Sequence, residues 1–379
     1  MNENTARLAD YNIDELEEWL SNACPELNAR ASYRGAQIFR WLGLGSQSFD
    51  EMTNLPLDLR AALASRSSTG IPAIIAAARS NLDGTVKYAM ETDDGCVVES
   101  VLMKYRHGDA VCVSTQAGCR MGCSFCATKP QNYSRNLTAG EIFGQVVSIT
   151  KHNEQSIRSE QSNRSDQFDR SIQSPRSGKR PPRIGNIVVM GIGEPFDNYD
   201  NTLKFIRLLH EHGETNIGYR KITISTCGIL PGILKLAEES LPIGLAVSLH
   251  APNDKIRSLL MPVNRRYSID KLIEGCKIYT YKTNRRVTFE YALIKGVNDA
   301  PDDASELLRL IRGMLCHINL IPVNKTENSE FMPSPKEHIA RFESILKKGG
   351  AQITVRRGLG TDIMAACGQL RNYMTKQVQ

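Results

Sequence analysis

The chain has 379 residues, enough for one large domain with a smaller appendage, and its net charge of +6 permits a nucleic-acid partner without demanding one. No apolar run approaches membrane-spanning length, and Met1-Asn2-Glu3-Asn4 lacks a basic or apolar leader, so a cytoplasmic protein with no membrane partner is expected. Ten cysteines in a chain without a secretory signal point to metal or redox chemistry rather than a disulfide framework.

Residues 1–67 read as a helical accessory domain, from amphipathic spacing in Ile13–Leu20 and Tyr33–Leu42. Arg34 and Arg40 could touch nucleic acid there, but solvated arginines around core aromatics are the plainer reading. Residues 68–104 alternate apolar and polar positions and predict a short antiparallel β extension. From 105 to 350, β-branched runs recur between helical stretches: Val111–Thr115, Asn186–Gly191, Lys221–Thr226, Ile243–Ser248, Arg286–Tyr291 and His317–Pro322. Six buried, parallel strands with helices between them imply an α/β fold, either a partial barrel or an open doubly wound sheet. A seventh run, Gln352–Arg356, opens the segment 351–379. Lys151–Arg183 breaks the rhythm: it is rich in Ser, Gln and Asn, with eight Lys and Arg against four Asp and Glu. It predicts a disordered basic insertion, either a tolerated loop or extra nonspecific grip on RNA.

The most specific motif is Cys119-x3-Cys123-x2-Cys126. Zinc sites usually pair cysteines as C-x2-C and need a fourth ligand nearby. Three thiolates at uneven spacing suit a 4Fe-4S cluster with one iron left open to a small molecule, the arrangement that cleaves S-adenosylmethionine reductively. Structural zinc, or three unrelated buried thiols, is the alternative. Gly118 and Gly122 give this loop its backbone freedom, and Phe125 is placed to cover it from water.

Polar residues gather where the strands end, the edge at which parallel α/β folds bind ligands. Gly191-x-Gly193-Glu194 offers close backbone approach and an acceptor for an ammonium group. Ser225, Ser248 and His250 offer partners for a carboxylate or ribose, and Asn324 a partner for an adenine edge. Cys112 precedes the cluster motif by seven residues, and Cys367 lies in a tail rich in small residues. Either thiol, taken alone, reads more plainly as an inert core residue.

Together the motifs resemble the RlmN/Cfr-type radical S-adenosylmethionine RNA methyltransferases, over about Asp50–Leu370. The resemblance is carried by Cys112–Cys119, Arg135-Asn136-Leu137, Gly191–Pro195, Ser225–Gly228, Ser248–Asp254, Asn319–Asn324 and Ala365–Leu370. It implies a partial (β/α)6 radical SAM barrel. Cys119, Cys123 and Cys126 would hold the cluster, and Gly193, Glu194, Ser225, Ser248, Leu249, His250 and Asn324 would bind S-adenosylmethionine. Cys367 would carry the methyl group, Cys112 would resolve it through a transient disulfide, and Glu99 would take the ring proton. RlmN-type members methylate adenine C2 in 23S rRNA and often in tRNA beside the anticodon, whereas Cfr-type members methylate C8 of the ribosomal adenine. Glu99, Glu194-Pro195 and Arg286–Tyr291 look closer to the RlmN side. The resemblance further implies a flavodoxin-like electron donor and a monomer. A zinc-containing RNA-binding or ribosome-assembly protein is the reading from another class.

Overall fold

The computed structural model describes residues 5–25, 31–106, 108–128, 133–165, 184–215, 217–324 and 330–370. The N-terminal segment runs β1 (Ala6–Arg7), α1 (Ile13–Ala23), α2 (Ala31–Gly43), α3 (Leu57–Arg66) and β2 (Ser67–Ser68), with β1 and β2 paired in parallel. Helix α1 starts at a capping box: the Glu15 N–H donates to Asn12 Oδ1 at 2.8 Å and the Asn12 N–H to Glu15 Oε2 at 2.9 Å. Leu16 and Leu20, then Ile38 and Leu42, are the buried stripes the spacing predicts.

This segment is fused to the rest by one shared apolar core. The joint is an aromatic stack in which His212 lies between Phe39, at 3.6 Å, and Phe143, at 4.5 Å. Burial drives the His212 pKa down to about 3, so its ring is neutral. The unfolded chain therefore takes up a proton that the folded chain refuses. Stability falls as pH drops through about 6.5 and goes on falling towards the folded value, by roughly 1.4 kcal/mol per pH unit for this group. His212→Phe is expected to flatten that part of the acid limb in denaturant titrations run across pH, while stability at pH 8 changes little.

Ten strands form the main sheet, in the order β14-β13-β12-β11-β10-β9-β6-β5-β4-β3. Strands β3 (Ala73–Arg79), β4 (Val86–Glu91), β5 (Val97–Met103) and β6 (Asp109–Cys112) are antiparallel neighbours. The expected β extension is therefore continuous with the barrel sheet, through β5 and β6. Short strands β7 (Gln116–Ala117) and β8 (Arg135–Asn136) pair outside it. Strands β9 (Ile184–Val189), β10 (Ile222–Thr226), β11 (Gly244–Ser248), β12 (Val287–Leu293), β13 (Cys316–Pro322) and β14 (Ile353–Val355) add in parallel, each beside the strand before it. A doubly wound sheet reverses its strand order part-way. This one does not, which decides for the partial barrel. Helices α4 (Ala139–Ser165), α5 (Tyr199–Glu211), α6 (Leu230–Glu238), α7 (Asp254–Leu260), α8 (Ile269–Thr283), α9 (Pro301–Leu310) and α10 (Lys336–Lys348) are the crossovers.

One expectation is corrected. Residues 151–165 are not a disordered insertion but continue α4. Buried Ile142, Phe143, Val146, Val147 and Ile149 nucleate the helix, and each further residue then adds at little cost. Lys151 bonds Glu51 and the Gly45 carbonyl, and Lys104 donates to Asn153 at 2.9 Å. The remainder of that segment, 166–183, lies outside the described residues.

Candidate active site

The parallel strands open onto one cavity at their C-terminal ends, lined by Cys119, Cys123 and Cys126 together with Cys112, Gly193, Glu194, Ser225, Ser248, His250, Asn324 and Cys367. The cysteine loop leaves the sheet between β7 and β8. Gly118 and Gly122 take left-handed φ values of +83° and +69°, as a loop wrapped tightly around a group requires. Phe125 also lines the cavity and meets the His250 ring edge-on, at 4.8 Å. Burial pushes the Cys119 thiol up to about 11, and burial together with the charges of Cys126 and Cys119 pushes Cys123 higher still. Such thiols become thiolates only when a positively charged group takes them as ligands.

The other walls are strand ends. Gly191 and Gly193 let β9 finish against β6: a Cβ on Gly193 would stand 2.7 Å from Thr115 Oγ1 and 2.8 Å from Gln116 N. Burial raises the Glu194 carboxyl. Backbone N–H groups of Cys227, at 2.7 Å, and Phe196, at 3.0 Å, pull it partly back. A buried acid held this way suits pairing with an ammonium group. His250 has a left-handed backbone, φ +55°. Its Nδ1 accepts the Ala292 N–H at 2.9 Å, which leaves Nε2 as the donor. Burial, aided by the Arg257 charge, lowers its pKa to about 3, so the ring is neutral. Asn324 donates to the Cys367 carbonyl at 3.4 Å.

Comparison with known proteins assigns this geometry. The model of the radical SAM superfamily matches residues 113–311. A probable dual-specificity RNA methyltransferase RlmN of Clostridium novyi is 42% identical over 97% of this chain and 98% of its own length. Its counterpart in Desulforamulus reducens is 45% identical, over 98% and 97%. The crystal structure of a radical SAM methyltransferase from Sphaerobacter thermophilus superposes with a TM-score of 0.85, at 45% identity, over 97% of this chain and 99% of that one. The chain belongs to the RlmN family of radical SAM methyltransferases.

The RlmN family's cofactors are a 4Fe-4S cluster and S-adenosylmethionine, and the residues here fit both. Three thiols on one loop share a cavity with a buried carboxylate and a neutral histidine donor. Among the described residues, no three His, Cys, Asp or Glu side chains converge tightly enough to share a single metal ion. When bound, the pair supplies a 5′-deoxyadenosyl radical.

Two expected residues sit differently from the rest of the RlmN site. The Leu249 side chain is fully buried in the core, and its N–H bonds the Glu290 carbonyl at 3.1 Å. Leu249 can offer the cavity only its backbone. Glu99 is fully buried on β5 and paired with Lys87 at 3.3 Å. It shares a strand face with the cavity-lining Val101 and Met103 but does not itself line the wall.

Several site residues carry no clear mark in the sequence. Arg257, fully buried, donates to the Cys227 carbonyl at 2.7 Å, the Ser248 carbonyl at 3.2 Å and Asn264 at 3.0 Å, tying the ends of β10 and β11 together. Glu290 and Arg356 line the cavity beside the two isolated cysteines. Position at the end of a predicted strand was the one available signal, and it applied to Arg356. The tail reaches the site through fixed bonds. Ser80 Oγ donates to Asp362 at 2.7 Å, and the Gly360 N–H donates to Asp83 at 2.8 Å. The Ala127 N–H donates to the Gly368 carbonyl at 2.7 Å, and Thr128 Oγ1 to the Leu370 carbonyl at 2.8 Å. Cys367 is reached by solvent through the cavity mouth while protein surrounds it on its other sides.

Proposed function

We propose that this protein methylates C2 of a specific adenine in 23S rRNA and of the adenine beside the anticodon in tRNAs, through an S-methylcysteine at Cys367. The observation that carries this reading is the meeting of Cys112 and Cys367, 255 residues apart in sequence, in the same cavity as the three cluster cysteines. Plain packing gives no reason for that meeting. The relatives' description as dual-specificity RNA methyltransferases supports the substrate class.

Adenine C2 is electrophilic, so direct displacement from a sulfonium fails there. In the proposed sequence the Cys367 thiolate takes a methyl group from one S-adenosylmethionine. That methyl group then loses a hydrogen atom to the radical derived from a second. The resulting carbon would form a bond to C2, and the electron spent on the cleavage would return to the cluster held by Cys119, Cys123 and Cys126. The ring proton would pass to Glu99, which lies on the same strand face as the cavity-lining Val101 and Met103. Cys112 attacks the Cys367 sulfur. The S–S bond forms, the S–C bond breaks, and the freed carbon is protonated to the new methyl group. Gly193, Glu194, Ser225, Ser248, His250 and Asn324, with the Leu249 backbone, hold S-adenosylmethionine in this reading. A flavodoxin-like protein supplies the reducing electron.

Mass spectrometry of nucleosides from rRNA and tRNA of a deletion strain is the test. Loss of 2-methyladenosine, restored by this gene, is expected. Restoration of 8-methyladenosine alone would overturn the C2 assignment.

A further inference from the structure

The cysteine loop is gripped on two flanks by different elements. On one flank, Ala127 and Thr128 bond the catalytic tail at Gly368 and Leu370. On the other, the Ser124 N–H donates to the Leu260 carbonyl at 2.9 Å, and Ser124 Oγ bonds the Leu259 and Leu260 carbonyls at 3.2 and 3.1 Å. This second element is the knuckle formed by α7 and the single 3-10 turn Pro262–Arg265. Its inner side, Leu260 and Met261, packs with Cys123 and Phe125 in a small apolar cluster of its own. A Cβ on Gly122 would lie 3.8 Å from Pro262 Cγ.

The outer side of the knuckle is exposed. Leu259 is 61% accessible, and Pro262, Lys255, Arg265 and Arg266 are exposed around it. No salt bridge among the described residues involves these three cations. The one acid within the knuckle, Asp254, is exposed, and its Oδ1 accepts from Asn264 and from the Ile269 N–H, both at 2.8 Å. Arg120, the cation of the cysteine loop among the described residues, is already clamped by Asp197 at 2.7 and 2.8 Å and stacked on Tyr133. Arg356 and Arg357 lie on the cavity side. Among the described residues on the outer side of the cysteine loop, the knuckle carries the exposed positive charge.

We infer that the knuckle is the docking surface for the electron donor, a small acidic flavoprotein of the flavodoxin kind. The inference rests on the donor named in the proposed function and adds its place of contact. An apolar centre ringed by unpaired cations matches an acidic rim around an exposed flavin edge. Electron-transfer encounters bury little surface and are steered by charge, so a patch of this size suffices. The route is short, because a single residue, Leu260, separates Leu259 at the surface from Met261 on the cavity wall. One electron leaves the reduced flavin and one enters the cluster, with no other reactant.

The test uses the cluster-loaded enzyme and a recombinant bacterial flavodoxin. Three proteins are compared: wild type, the triple variant Lys255→Glu/Arg265→Glu/Arg266→Glu, and Leu259→Asp. Binding of oxidised flavodoxin is measured at low and high salt, alongside bleaching of the cluster band by reduced flavodoxin and by dithionite. The triple variant is expected to lose roughly tenfold or more in flavodoxin affinity at low salt and most of its salt dependence. Bleaching by flavodoxin should slow in parallel, while bleaching by dithionite and binding of a tRNA anticodon stem-loop stay at wild-type values. Unchanged flavodoxin binding in both variants would overturn the surface alone. Parallel loss of stem-loop binding would reassign the surface to RNA. Failure of the wild type to bind or be reduced by flavodoxin would remove the donor itself, and the docking site with it.

Discussion

Cys112→Ala is expected to convert the enzyme into a trap for its own RNA. Methyl transfer to Cys367 and bond formation to the ring need no contribution from Cys112, so the bridge between RNA and protein should still form. Release should not follow, because Cys119, Cys123 and Cys126, the thiols of the cysteine loop in the cavity, would be held as cluster ligands and would not be free to attack the Cys367 sulfur. Removing a nucleophile from a covalent mechanism costs on the order of a thousandfold or more in turnover. A stoichiometric adduct resistant to denaturant, sensitive to ribonuclease and mapping to Cys367 is the expected product. Cys367→Ala should give neither adduct nor methylated RNA. The contrast between the two thiols is structural. Cys112 ends β6 and is fixed on both sides, opposite Val101 of β5 and Val188 of β9. Cys367 rides an irregular tail next to Gly368, whose φ is +80°. A rigid attacking group and an adjustable carrier are what the exchange requires. Normal turnover by Cys112→Ala would remove the resolving role from this residue.

Much of this arrangement was legible because the barrel is built from local signals. Each strand of the parallel sheet overlaps one of the runs named in the sequence, with ends that differ by a few residues. Parallel strands covered on both faces must be continuously apolar, which makes them easy to read. The cysteine motif, the Gly-x-Gly-Glu turn and the polar strand ends are also local, and the structure gathers them at one cavity. What stayed hidden depends on distance. Asp362 anchors the tail at Ser80, 282 residues away, and neither residue carries a mark of that bond. The Lys87–Glu99 pair is set by the diagonal register of β4 and β5, since Glu99 lies directly opposite Ala89. Arg257 reads as one more surface cation of a short helix until the fold buries it beneath two strand ends. The second half of α4 was missed for another reason. It has no apolar face to detect, and it persists because the first half is already helical.

Arg356→Met is expected to slow the step that precedes the trap. Arg356 follows β14, where its N–H donates to the Leu320 carbonyl at 2.8 Å, and it lines the cavity with Cys112 and Cys367. Burial pushes the Cys367 thiol up, and the Arg356 guanidinium is the largest influence drawing it back down. Burial likewise lifts Cys112, to about 12, and there too Arg356 acts in the opposite sense. Arg356→Met should therefore raise the Cys367 pKa and thin its thiolate at neutral pH. A thiol whose pKa rises by about one loses about tenfold of its thiolate, while the remainder becomes about threefold more nucleophilic, for a net loss of roughly threefold. A rise of about two would slow methylation of Cys367 roughly tenfold at about pH 7.5, with the rate recovering as pH rises and the whole profile displaced to higher pH. Arg356→Lys keeps the charge and should lie between the two. The readout is the mass of the Cys367 peptide after incubation with S-adenosylmethionine across a pH series, with no RNA present. That choice separates the thiol from the other partner an arginine in this cavity would have, an RNA phosphate. A profile that stays in place while RNA affinity falls would assign Arg356 to the phosphate and leave Cys367 to be activated by another group.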